Sequence, residues 1–288
     1  MKATIVKKEV SPDAPIGVFD SGLGGLTVVK ELRRRLPSER IIYFGDTARL
    51  PYGIKSEKQI REFSRENTEF LLHRRIKALV VACNSSSSVA YSFLRGHYGL
   101  PIVDVIWPAS ESACEVTTKG KIGVMATQAT VSSGAYERAL KKLDPKIRVF
   151  SNACPLLVPF VEEGIFDGSV IEMVLKRYLA PLLRQKIDTL ILGCTHYPML
   201  REVIQKMVSL KVRLIDSAPA AVSKLDQMLS ERGASRAKER GRGRLEVFVS
   251  DLAPKFLAIG ARFLGEPLKD VKVVRFKYEV TRNGRWTL

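Results

Sequence analysis

Two apolar runs, Ala78-Leu79-Val80-Val81 and Thr189-Leu190-Ile191-Leu192, do most to limit the folds open to this chain. Each reads as a strand buried on both faces, the kind found in parallel sheets covered by helices. Each is followed at once by a cysteine among small polar residues. The phrases are Ala82-Cys83-Asn84-Ser85 in one half of the chain and Gly193-Cys194-Thr195-His196 in the other. In an open parallel sheet, ligands bind at the carboxyl ends of the strands. Two thiols in matching positions suggest one task done from two sides.

Strand and helix patterns alternate along the rest of the chain. Strands are expected at 16–19, 41–44, 78–82 and 102–103, with helices over 26–36, 56–75, 86–95 and 108–117. The third of these strands leads into Cys83. Ser56 and Gln59 form a capping-box pattern at the start of the second helix. A second series starts at 121–125, with strands near 148–150, 189–192 and 212–215 and helices near 168–185 and 198–208. This order predicts an α/β protein of two parallel-sheet domains. The boundaries fall near 105–120 and at Ser217-Ala218-Pro219. Residues 1–106 and 219–288 form the first domain, to which strand 245–249 and helix 254–264 return, and 107–218 form the second. No strict repeat is visible, but the halves share a cadence of strand, cysteine, polar pair and helix.

A chain of 288 residues can bury a substantial core. No apolar stretch approaches the roughly 18 residues that span a bilayer, so no membrane association is expected. Met1 to Glu9 shows no apolar core of a secretory signal, and a cytoplasmic enzyme is expected. The four cysteines, Cys83, Cys114, Cys154 and Cys194, include no C-x-x-C pair, which disfavours a zinc ribbon or thioredoxin motif. A core of this size needs no disulfide framework. Cys114 and Cys154 read as core fillers, and taken singly Cys83 and Cys194 would too.

The net charge is +17, part of it in Arg33-Arg34-Arg35 and part in the stretch from Arg232 to Arg244. That stretch lacks apolar periodicity and reads as an exposed, mobile loop. No aromatic residues interleave with its charges, and no helix-turn-helix, RRM or KH pattern accompanies it. A solvated basic surface, whose field favours an anionic substrate, is preferred over nucleic-acid binding.

The turn Asp20-Ser21-Gly22-Leu23-Gly24-Gly25-Leu26-Thr27 follows a strand and opens a helix, and Asp46 ends the next strand. This approaches a dinucleotide fingerprint with Asp46 set for a ribose. Thr27 at the third glycine position argues against it, as does a negative Asp20 where a pyrophosphate would lie. A carboxylate beside a hydroxyl suits an ammonium group or a thiol instead. No P-loop pattern occurs.

Asp20-Ser21-Gly22-Leu23-Gly24-Gly25, Pro51-Tyr52-Gly53, Ala82-Cys83-Asn84 and Gly193-Cys194-Thr195-His196-Tyr197-Pro198 together resemble the glutamate racemases of the aspartate/glutamate racemase family. Gly123-Val124-Met125-Ala126-Thr127 with Thr130, and Pro159-Phe160-Val161-Glu162, also fit, and the resemblance runs from about Ile16 to Leu264. It implies two α/β domains facing each other across a cleft, with a pseudo-two-fold relation that the shared cadence fits. It also implies no cofactor, glutamate as substrate, and supply of D-glutamate for bacterial peptidoglycan. A homodimer is compatible with it. The chain has Ser85-Ser86-Ser87-Ser88 where the family usually has Thr and then Ala-Ser, so a hydroxyl is kept at Ser85 and a methyl lost. The basic stretch 232–244 and the tail 277–288 lie outside the family motifs.

Racemisation gives the two thiols a reason. The Cα proton leaves one face and another arrives on the opposite face, which two bases accomplish without moving the substrate. Thiolates are strong nucleophiles and adequate bases, and each needs a partner for its proton. The resemblance assigns Asp20 to Cys83 and His196, supported by Glu162, to Cys194. Without pyridoxal phosphate, the carbanion must be stabilised by preoriented donors in a water-poor cleft. Asn84, Ser85 and Thr195 suit the α-carboxylate. Backbone groups at Tyr52 and Gly53 suit the side-chain carboxylate, with Pro51 beside them, though alone the phrase Pro51-Tyr52-Gly53 is an ordinary turn. Asp20, Ser21, Thr127 and His196 complete the expected binding set. Aspartate or a hydantoin is the alternative substrate, since related racemases share the two-cysteine plan.

Overall fold

The computed structural model describes residues 11–275 and, beyond them, the backbone of a short antiparallel pair, Glu279–Val280 with Trp286–Thr287. Met1–Glu9 and most of the 277–288 tail lie outside the described residues.

Apolar runs become strands where the sequence places them. In the first half these are β1 (Ile16–Asp20), β2 (Ile41–Gly45), β3 (Ala78–Val81) and β4 (Ile102–Asp104). The second half supplies β5 (Lys121–Ala126), β6 (Arg148–Ala153), β7 (Thr189–Gly193) and β8 (Arg213–Asp216). Two further strands, β9 (Leu245–Val249) and β10 (Lys272–Val273), extend the first sheet past β2. The sheets run β10-β9-β2-β1-β3-β4 and β6-β5-β7-β8, and every neighbouring pair within them is parallel. The expected α/β architecture with two parallel sheets is what forms.

The order β2-β1-β3-β4 repeats as β6-β5-β7-β8, so each half is built on the same winding. The first strand connects outward in one direction and the third in the other, leaving a crevice at their carboxyl ends. Cys83 follows β3 and Cys194 follows β7, each the third strand of its series. Each thiol therefore stands at the switch point of its own sheet.

Several element ends differ from the sequence expectation. The helix after Cys83 runs Asn84–His97, with Cys83 at its N-cap, and so starts two residues earlier than periodicity suggests. Helix Glu57–Leu72 is capped by Ser56, whose Oγ accepts from Gln59 N at 3.3 Å, and stops short of Arg75, which has φ 55°. Strand β6 continues through Ser151 and Asn152 because an edge strand of half-buried residues needs no apolar run.

Ser217-Ala218-Pro219, expected as a break between domains, forms the first turn of helix Ser217–Glu231. The Asp216 carboxylate caps it by accepting from Ala218 N at 3.0 Å. Proline is tolerated there because a first-turn N–H has no intrahelical acceptor. This helix packs on both Leu26–Arg35 and Ile106–Val116. Ile106–Val116 in turn packs on Ala135–Leu143 beside the second sheet.

The basic stretch, largely exposed as expected, makes several ordered contacts with the rest of the chain. Arg236 Nε pairs with Asp13 at 3.2 Å, its NH1 donates to Ser38 O, and its backbone N donates to Glu39 Oε1 at 2.8 Å. Gly243 N donates to Pro37 O at 2.8 Å, and a side chain at Gly243 would collide with the Glu39 carbonyl. Beneath this loop Lys77, fully buried, reaches Glu39 Oε2 at 2.6 Å and the carbonyls of Pro12 and Ala234 at 2.7 Å each. Its charge is thus spent on holding the N-terminal segment, the start of β2 and the returning chain together. No described helix is long and apolar enough to cross a membrane.

Candidate active site

A cavity of about 420 Å³ lies between the carboxyl ends of the two sheets. Its lining includes Ser21, Pro51, Tyr52, Gly53, Cys83, Asn84, Ser85, Thr127, Glu162, Cys194, Thr195 and His196. Every site residue expected from the sequence is there except Asp20. The Asp20 carboxylate is wholly buried behind the lining, where it accepts from Gly22 N at 3.0 Å and from Thr195 Oγ1 at 3.4 Å. Among the described residues it has no hydrogen bond to Cys83, so its influence on that thiol is electrostatic.

The two thiols sit in opposite surroundings. Burial pushes Cys83 up to about 11, the negative Asp20 adds to this, and hydrogen bonds from Ser86 and Ser21 only moderate it. Asp20 itself is raised by burial, against the charge of His196 and backbone N–H groups. Cys83 is thereby set to hold a proton.

Cys194 faces His196 Nδ1 at 3.9 Å, and His196 Nε2 lies 3.1 Å from Glu162 Oε1. Burial disfavours the imidazolium, but the hydrogen bonds to Cys194 and Glu162 outweigh it and push His196 up to about 10. A protonated His196 offers the sulfur a donor and a positive charge, which stabilise negative charge there. The edge of Phe263, from helix Phe256–Leu264, closes on the imidazole at 5.3 Å between ring centroids.

Around the thiols, polar groups are drawn from both halves. Ser85 Oγ, on the helix after Cys83, lies 2.9 Å from Thr127 Oγ1, which follows β5, and Thr127 Oγ1 lies 3.0 Å from Thr130 Oγ1. The hydroxyl kept at Ser85 is therefore part of a bridge between the halves. Asn84, 2% exposed, opens helix Asn84–His97, whose N-terminal end favours an anion. Its Nδ2 has no partner among the described residues.

The Pro51-Tyr52-Gly53 turn rests on a buried network. Tyr52 OH and Arg49 Nε both donate to Asp46 Oδ2, the latter at 2.6 Å, and Ser250 Oγ donates to Oδ1 at 2.9 Å. Asn67 Nδ2 donates to Tyr52 OH at 3.1 Å. Asp46 thus braces the turn; it is wholly buried and not set to meet a ribose. Among the described residues no group of three or more His, Cys, Asp or Glu gathers as metal ligands.

Gly24, in the turn after β1, lies against the residues that follow Cys194. A methyl group there would run into Thr195 Oγ1 and His196 Nδ1, both buried. Gly24→Ala is expected to lower turnover roughly a hundredfold with the cooperative unfolding transition retained, because displacements of about 1 Å cost about that much. Steady-state kinetics on the folded variant check this, and a change below threefold would show that the loop relaxes freely.

Sequence reasoning missed Tyr136, Gln128, Pro155 and Phe263. Gln128 and Pro155 line the cavity, Tyr136 OH donates to Asn84 Oδ1 at 2.7 Å, and Phe263 meets His196. Tyr136 and Phe263 lie on helices with ordinary core patterning, so their one-dimensional signal is that of any buried aromatic. Cys154 is a core residue as expected, and Cys114 packs at the edge of the second core.

The Asp/Glu/hydantoin racemase family model matches residues 16–225. A glutamate racemase of Chlorobaculum tepidum is 46% identical over 268 residues, covering 92% of this chain and 98% of that protein. A solved glutamate racemase of Bacillus anthracis superposes with a TM-score of 0.87 at 40% identity, covering 91% of this chain and 97% of the other. The Francisella tularensis glutamate racemase, solved with D-glutamate, does so with a TM-score of 0.85 at 40% identity, covering 91% and 98%.

Proposed function

Because the chain belongs to the Asp/Glu/hydantoin racemase family, we propose that it interconverts L- and D-glutamate with Cys83 and Cys194 as the two bases. The observation that carries this reading is the placement of both thiols on one cavity, each at the switch point of its own sheet. Glutamate is preferred over aspartate or a hydantoin because relatives above 40% identity over most of the chain are glutamate racemases.

In the L-to-D direction the Cys194 thiolate takes the Cα proton from one face, and the Cys83 thiol delivers its proton to the other. Cys83 then holds the negative charge and Cys194 the proton, so the reverse reaction runs the same steps backwards. His196, held by Glu162, supports negative charge at Cys194. Asp20 and Ser21 serve Cys83, the first by keeping the thiol protonated and the second by hydrogen bonding to the thiolate. Asn84 Nδ2, Ser85 and Thr195 take the α-carboxylate, and the backbone of Tyr52 and Gly53 takes the side-chain carboxylate. Carbanion charge is met by these donors, which are fixed in place before the proton leaves. The first sheet, with the chain that returns to it, and the second sheet act as the two domains, which support opposite faces of the substrate. The D-glutamate produced enters cytoplasmic peptidoglycan synthesis in this reading.

Chiral chromatography after incubation with L-glutamate or L-aspartate tests the substrate. Conversion of L-glutamate to an equal mixture, with aspartate far slower, is expected; turnover of aspartate alone would overturn the reading.

The pH profile follows from the same groups. Both raised pKa values mean that the proton persists through neutrality and is lost only as pH passes the raised value. Above about pH 10 His196 loses its charge, and near 11 Cys83 loses the proton it must deliver. These coupled ionisations define one alkaline limb in kcat/KM. Its course is the same for both enantiomers, because their free energies in water are equal. A limb centred near neutrality would contradict the assignment.

A further inference from the structure

We propose that Tyr136 is a positioning residue whose hydroxyl sets the Asn84 amide, so that its NH2 end faces the substrate carboxylate; this rests on the reading of Asn84 given above. Tyr136 is the second residue of helix Ala135–Leu143, in the half that carries Cys194, whereas Asn84 follows Cys83 directly. The phenol donates to Asn84 Oδ1 at 2.7 Å across the halves. A methyl group at Gly193 would stand 3.0 Å from Tyr136 Cε2, so the ring lies against the residue just before Cys194. One side chain therefore touches the neighbour of each thiol.

The direction of this hydrogen bond decides what the substrate meets. An amide presents an acceptor at one end and a two-proton donor at the other. Flipping Asn84 would turn Nδ2 toward the phenol and leave the phenol proton without an acceptor among the described residues. Tyr136 is 2% exposed, and a buried unpaired donor is costly. Burial, with negative charge at Asp104 and Cys194 adding to it, holds the phenol well above its usual pKa, so that proton stays in place. With Oδ1 engaged, Nδ2 is the end left for a ligand, and it is the end without a protein partner. A flipped amide would instead aim a carbonyl oxygen at a carboxylate.

Three full-length variants test this: Tyr136→Phe, Asn84→Ala and the double variant. Tyr136→Phe keeps the ring against Gly193 and removes only the hydroxyl. It is expected to raise KM for both enantiomers roughly tenfold, equivalent to about 1.4 kcal/mol, with kcat within about threefold of the parent. Asn84→Ala removes the same contact from the other side and should raise KM at least as much. In the double variant the tyrosine change should add nothing, because its effect passes through Asn84. A merely structural tyrosine would add its full effect in the double variant, and that result overturns the proposal. An unchanged KM in Tyr136→Phe, or a fall in kcat at constant KM, overturns it as well while leaving Asn84 as the carboxylate ligand. An unchanged KM in Asn84→Ala removes the Asn84 reading and the Tyr136 proposal with it.

Discussion

Cys83→Ser and Cys194→Ser are each expected to lower racemisation by roughly 10³-fold, within the range of about 10²–10⁴ that positioned acids and bases contribute. A serine hydroxyl is far too weak an acid to hold charge as a thiolate does, so neither half of the proton exchange survives the change. The fall in kcat/KM must be equal for L- and D-glutamate in either variant, since the equilibrium constant of a racemisation is one. Cys114→Ser and Cys154→Ser should keep turnover. Cys154 is wholly buried, so its serine variant is expected to lose about 1–2 kcal/mol of stability. Deuterium incorporation resolves the mechanism further. In D₂O, L-glutamate should acquire solvent deuterium chiefly in the D product, because the proton removed by one thiol is not the one delivered by the other. Heavy early labelling of recovered L-glutamate would indicate a single shared base, and full activity in either serine variant would end the two-thiol mechanism.

Lys77→Met is expected to cost about 3–5 kcal/mol of folding free energy, the usual result of removing one partner from a buried ion pair. The side chains of Lys77 and Glu39 are 0% and 3% exposed, so Glu39 would keep a buried charge with no cation on Oε2. The carbonyls of Pro12 and Ala234 would lose their donor as well. Denaturant unfolding measures the loss, and adding Glu39→Leu should recover a large part of it, because the remaining charge goes too. A loss under 1 kcal/mol would mean that water enters and solvates Glu39. The surface charges nearby behave differently. Arg240 and Arg242 are well exposed, and replacing either with Ser should change stability by no more than about 0.5 kcal/mol.

The order of strands and helices was legible because continuous apolar runs and helical periodicity are local signals. Element ends were less so. Asp216 capping a helix at Ser217 looks, in one dimension, like any Asp-Ser-Ala-Pro loop, and only its bond to Ala218 N makes it a first turn. Arg236 shows the same limit. Arginines between glycines read as a mobile basic loop, yet the guanidinium is anchored by Asp13 and the Ser38 carbonyl, some two hundred residues away in sequence.

What the chain determines by itself are the two strand-end cysteines, the residues immediately beside them and the alternation of strands with helices. Each depends on neighbours within a few positions, which a sequence displays directly. Tertiary structure alone decides that the Asp20 carboxylate lies behind Thr195 rather than in the cavity, that Asp46 braces the Tyr52 turn, and that Tyr136 holds Asn84. It also sets the different surroundings of the thiols, burial and Asp20 at Cys83, and His196 with Glu162 beside Cys194. The physical reason is that a hydrogen bond or a charge acts over a few ångströms of space, whatever the separation along the chain, and that proximity exists only once the two sheets have packed.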